Sequence, residues 1–142
     1  LKNKIIIFAG SLDSANYIYK ILTMENINCA IVTGETNSIE RRNNIELFKD
    51  TNSGLNIIIN FGVLTTGFDA PNTNAILIAR PTASPVSYNQ MLGRGLRGEN
   101  VGGNKECWLL DLKDNLSGLP DERNCFTMYN SYYNELSNYN LK

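Results

Sequence analysis

The sequence predicts an α/β domain: an open parallel β-sheet covered by helices on both faces. Two observations predict it. Short apolar runs alternate along the chain with stretches of helical periodicity, the order expected when helices connect parallel strands. The runs are also continuous in apolar character, as in strands buried on both faces, with Ile5-Ile6-Ile7 and Ile57-Ile58-Ile59 the plainest cases. A chain of 142 residues makes one domain, large enough for a core without metal or disulfide.

The elements follow in order. Lys4 to Ala9 reads as the first strand. Gly10-Ser11 turns the chain, and Ser11 or Asp13 can cap a helix with Ala15, Ile18 and Leu22 on its inner face. Cys29 to Val32 is the second strand, ending at Thr33-Gly34. Ser38 is a cap for a helix that buries Ile45 and Phe48 and stops before Asn52-Ser53-Gly54. Leu55 to Phe61, Ala75 to Ala79 and Cys107 to Leu112 are the remaining strands, with a helix from about Ser87 to Leu96 between the last two. The tail carries Phe126, Tyr129, Tyr132, Tyr133, Leu136 and Tyr139 at roughly helical spacing. This is an amphipathic helix packing on this domain or on an adjacent one, in preference to a base-stacking platform.

Composition excludes several chemistries. With no histidine, a histidine-based triad or a typical zinc site is ruled out. The three cysteines are scattered, without C-x-x-C spacing, which fits a reducing cytoplasm. No apolar run reaches the roughly 20 residues that span a bilayer. The chain begins at Leu1, and a fragment of a longer protein is expected. Net charge is −1, unlike a strongly basic nucleic-acid binder, but the charge is segregated. No acid lies between Asp69 and Glu99, where Arg80, Arg94 and Arg97 fall; from Glu99 onward seven acids face four bases.

The densest signal is Gln90-Met91-Leu92-Gly93-Arg94-Gly95-Leu96-Arg97. Two arginines three residues apart on a helix share a face, and planar guanidinium forks suit phosphate oxygens. Each glycine costs a helix roughly 1 kcal/mol relative to alanine, which close approach of a ligand or domain would explain. The stretch resembles motif VI of superfamily 2 helicases, Q-x-x-G-R-x-x-R. Leu64-Thr65-Thr66-Gly67-Phe68-Asp69-Ala70-Pro71 matches motif V. Phe8-Ala9-Gly10-Ser11 stands in the place of motif IV, and Arg41 lies seven residues before Phe48 as in the family's R-x(6)-F. Arg80-Pro81-Thr82 followed by Ser84 and motif VI is most similar to RadD-type DNA-repair helicases and type III restriction-like motors.

The resemblance implies a RecA-like second motor domain over residues 1–118, followed by the tail, 119–142. It implies that Arg94 and Arg97 are catalytic and that Gly67, Asp69, Gln90, Arg94 and Arg97 bind ATP. Ser11, Gly34, Arg41, Thr65 and Thr66 would hold a nucleic-acid backbone, with DNA favoured over RNA as the track. Two readings stand for Ser11 and Gly34, strand contact or simply cap and turn; for Asp69 the ribose contact is weighed against a turn. A G-x-x-x-x-G-K-[ST] loop and a D-E-x-[HD] box are both missing from this sequence. ATP and Mg2+ would therefore be bound mainly by an N-terminal RecA-like domain of the same polypeptide. A restriction-system motor and a non-catalytic RecA-like assembly module are the alternatives within the fold. A Rossmann-type nucleotide enzyme would need G-x-G-x-x-G after the first strand, where Gly10-Ser11-Leu12-Asp13 stands.

Overall fold

A computed structural model describes residues 3–63, 70, 72–80, 85–95 and 103–111. Five strands form one parallel sheet in the order β2-β3-β1-β4-β5. They are β1 (Ile5–Ala9), β2 (Cys29–Thr33), β3 (Ile57–Phe61), β4 (Ala75–Ala79) and β5 (Trp108–Asp111). The connecting helices are α1 (Leu12–Met24), α2 (Ser38–Lys49) and α3 (Pro85–Leu92).

The central strand is β1, with Ile6 in register with Ile58 of β3 and Ile76 of β4. A central parallel strand is covered above and below, which is why Ile5-Ile6-Ile7 is apolar at every position. Even-numbered side chains of β1 to β4 (Ile6, Phe8, Ala30, Val32, Ile58, Ile76, Ile78) point to one face. There they pack with Phe48 of α2 and Tyr88, Met91 and Leu92 of α3. Ile7, Ala9, Ile57 and Ile59 point to the other face, against Ala15, Ile18 and Leu22 of α1. Helices thus lie on both faces, as the sequence predicts.

Helix boundaries follow capping chemistry. Ser11 is the N-cap of α1: its side chain accepts from the Ser14 amide at 3.0 Å, and the Ser11 amide donates to Ser14 Oγ at 2.9 Å. Ser38 does not cap α2, contrary to expectation. Asn37 does, its Oδ1 accepting from the Glu40 amide at 2.9 Å, and Ser38 is the first helical residue. An asparagine carbonyl reaches the amide three residues on as readily as a hydroxyl does.

One buried charge was not legible. Lys4, read as the first residue of a strand, is fully buried ahead of β1. Its Nζ donates to the carbonyls of Asp50 (2.8 Å) and Leu55 (2.5 Å) and lies 5.5 Å from the Phe48 ring centroid. A buried ammonium is tolerable only when such partners replace water. Here it ties the α2–β3 connection across the amino-terminal edge of the sheet. Among the described residues no helix is long and apolar enough to cross a membrane.

Candidate functional site

Because all five strands are parallel, their carboxyl ends share one edge, where ligands of open α/β sheets bind. Gly10-Ser11 leaves β1 there, Gly34 leaves β2 and Arg80 follows β4. The order β2-β3-β1 puts the end of β3 between the Gly34 turn and the Gly10-Ser11 turn. Adjacent strands are about 4.8 Å apart, so these two turns are roughly 10 Å from each other. Thr65, Thr66, Gly67 and Asp69 follow β3 in the sequence and lie outside the described residues, as does Arg97.

The Gly34 turn is rigidly built. The Thr33 amide donates to Thr36 Oγ1 at 2.9 Å, and the Glu35 amide to Thr33 Oγ1 at 3.2 Å. Arg41, on the first full turn of α2, reaches back so that one terminal nitrogen, Nη2, donates to the carbonyls of Thr33 (3.0 Å), Thr36 (3.1 Å) and Gly34 (3.5 Å). The half-buried guanidinium therefore braces the turn from behind and holds its outer side forward. At Gly34 a Cβ would meet nothing within 4 Å, so packing inside the domain does not demand glycine there. Bare backbone at an exposed, braced turn suits something approaching from outside. Ser11, in contrast, has a demonstrable structural task as the α1 cap, which leaves its hydroxyl proton available to donate.

The arginine motif departs from expectation in one respect. Helix α3 begins two residues earlier than expected and ends at Leu92, so Arg94 lies beyond it, while Arg97 lies outside the described residues. The chain instead tightens into a turn: the Arg94 amide donates to the Met91 carbonyl at 3.2 Å and the Gly95 amide to that of Leu92 at 3.0 Å. The Gly93-Arg94-Gly95 content explains the early stop, glycine being a poor helix former. Gly95 is required by packing, because a Cβ there would collide with Cys107 Sγ and come within 2.9 Å of Ile76 Cδ1. The surface that approaches this backbone is thus the domain's own sheet. Burial also pushes the Cys107 thiol above its ordinary pKa, which keeps it neutral.

Ile76 is the second residue of β4 and Cys107 directly precedes β5, so the Arg94 turn sits toward the amino-terminal ends of those strands. The structure does not bring Arg94 together with Ser11, Gly34 and Arg41. Helix α3, which carries the half-buried Gln90, leads directly into the Arg94 turn. It is pinned by Tyr88, only 1% exposed, whose hydroxyl donates to Asp111 Oδ2 at 2.6 Å. That link was missed in the sequence, where Tyr88 reads as one more apolar helix position. Asn60 was missed too. It is a buried amide in β3, a few residues before Thr65 in the sequence, and its Oδ1 has no hydrogen-bond partner among the described residues. A polar residue interrupting the run Ile57-Ile58-Ile59 was the available signal.

Comparison with known proteins places this geometry. Residues 1–99 match the model of the helicase conserved C-terminal domain. The chain is 42% identical over 80 residues to the putative ATP-dependent helicase IRC3 of Saccharomyces cerevisiae, covering 56% of this chain and 11% of that protein. It is 33% identical over 149 residues to the putative mitochondrial ATP-dependent helicase irc3 of Schizosaccharomyces pombe, covering 96% of this chain and 24% of that protein. It therefore spans less than a quarter of the length of either relative. Among solved structures, S. cerevisiae Dbp5 bound to RNA and ADP BeF3 superposes with a TM-score of 0.67 at 23% identity, over 92% of this chain and 31% of that one.

Proposed function

The chain belongs to the family of helicase conserved C-terminal domains, and from that premise we propose how it works as the second motor domain of an ATP-driven nucleic-acid translocase. The observation that carries the reading is the separation of two surfaces on one rigid sheet. One is the carboxyl-edge strip with Ser11 and the Gly34 turn braced by Arg41; the other is the Arg94 turn beyond α3. A domain so built engages a nucleic-acid strand and a nucleotide at once, and displacement at one is transmitted through α3 to the other.

In this reading Arg94 and Arg97 extend permanent positive charge toward ATP held by a neighbouring domain, with Gln90 beside them and Gly67-Asp69 meeting the nucleotide's sugar. Their charge offsets the negative charge that builds on the phosphoryl oxygens during transfer, an effect worth roughly 10³ to 10⁵ in rate where an arginine is supplied from outside the phosphate-binding domain. The sequence has no D-E-x-[HD] box, so in this reading Mg2+ is held mainly by the neighbouring domain. Opening and closing of the cleft would alternate with grip and release of the strand by Ser11, Gly34, Thr65 and Thr66, which offer hydroxyls and bare backbone suited to phosphates and blind to sequence. We propose DNA as the track. The RNA-bound relative in the same fold makes RNA the control in any titration.

The deciding experiment is ATP turnover of the longer protein in the presence of single strands. Arg94→Ala is expected to lower it by about 10³ or more with the fold intact, and Arg97→Lys to fail nearly as badly, since an ammonium cannot replace a two-pronged contact. Wild-type turnover in both variants would overturn the reading.

A further inference from the structure

The sheet is covered unevenly. On the α2/α3 face each strand is roofed, and even the edge strand contributes Leu109 to the core. On the opposite face α1 packs over β1, β2 and β3. Past α1, the floor formed by Leu77 and Ala79 continues to the edge strand, where Trp108 is 72% and Leu110 52% exposed. Two large apolar side chains on one face of an edge strand make a surface that soluble sheets normally cover.

We propose that the chain's own C-terminal segment, residues 126–139, docks on this face as an amphipathic helix, with Trp108 as its anchor. Three observations select this occupant. Residues 112–142 follow directly from β5: Asp111 ends the strand whose outer face exposes Trp108 and Leu110. Residues 112–125 are ample to cross from the end of β5 to that face, since extended chain covers roughly 3.3 Å per residue and packed layers are about 10 Å apart. The segment also has the matching chemistry. Phe126, Tyr129, Tyr133 and Leu136 recur at i, i+3, i+7 and i+10, while Asn130, Ser131, Asn134 and Ser137 fall between them. An aromatic stripe against an exposed indole forms offset or edge-to-face pairs in preference to a generic apolar contact. The tyrosine hydroxyls can stay at the wet margin. This arrangement is independent of the nucleotide and strand contacts proposed above.

Trp108 is the only tryptophan of the 142-residue chain, so its fluorescence reports on this face alone. In the intact chain its emission should be shielded from iodide and acrylamide. The triple variant Tyr129→Ser, Tyr133→Ser, Leu136→Ser should be quenched severalfold more, with the circular dichroism of the sheet retained. A reciprocal measurement uses limited chymotrypsin digestion: Tyr129 and Tyr133 should be protected in the parent and cut severalfold faster in Trp108→Ser. The proposal is overturned if Trp108 in the parent is as accessible as free indole, or if shielding survives the triple substitution. Shielding that disappears on dilution would assign the face to a second copy and also overturn it. Equal cleavage of parent and Trp108→Ser would do the same.

Discussion

Gly34 and Gly95 show how the same residue type serves opposite purposes. At Gly95 an added methyl would strike Cys107 Sγ and Ile76, so the fold itself excludes any side chain. At Gly34 the same methyl would enter open space. Gly95→Ala is therefore expected to destabilise the chain by about 1–3 kcal/mol, the usual cost of overpacking. Gly34→Ala should stay within about 0.5 kcal/mol of wild type, as surface changes do. Denaturant midpoints of the two variants would check this. If Gly34 serves an external strand, its alanine variant should weaken single-strand binding by the longer protein despite unchanged stability; unchanged binding would remove Gly34 from the strip. Arg41 belongs to the same scale of reasoning. Its pattern match suggests a phosphate contact, and the structure adds a second task, Nη2 holding three backbone carbonyls of the Gly34 turn, so Arg41→Ala would change the shape of that turn as well as remove a positive charge.

At the level of elements, α3 matters most, because it spans the distance between the carboxyl-edge strip and the Arg94 turn. Its position depends on the apolar side chains of Met91 and Leu92 and on the Tyr88–Asp111 hydrogen bond. Apolar packing alone allows a short helix to slide, whereas a bond from a buried hydroxyl to a carboxylate sets its register against β5. Tyr88→Phe should cost about 1.5–3 kcal/mol, the range for hydrogen bonds to charged groups. A double-mutant cycle with Asp111→Asn would test it; zero coupling energy would mean that the bond adds nothing beyond packing. In the longer protein, Tyr88→Phe should also lower ATP turnover at saturating ATP more than it changes KM, because it displaces Arg94 without removing it.

At the scale of the whole molecule, the proposed function makes the chain one side of a two-sided site. It contains the arginine motif but no phosphate-cradling loop and no acidic box. The purified 142-residue chain is therefore expected to show no ATP turnover above background, with or without single strands. Turnover that Arg94→Ala abolishes would contradict this division of labour.

Local pattern alone determined the strands, their parallel arrangement and helices on both faces. A strand covered on both sides must be apolar at every position, and a helix covered on one side must repeat its apolar residues at helical spacing; both signals reside in neighbouring residues. Motif order likewise placed the chain among helicase C-terminal domains before any geometry was known. Only the tertiary structure decided features that depend on residues far apart. Lys4 looks like a polar strand terminus until the α2–β3 connection brings the carbonyls of Asp50 and Leu55 to it. Tyr88 looks like core until β5 presents Asp111. The helical spacing read from Ser87 to Leu96 extends past the observed end of α3 at Leu92, because the backbone turns there and the sheet closes on Gly95. Spacing along a chain specifies which residues can share a face, but partners separated by tens of residues decide where the helix stops.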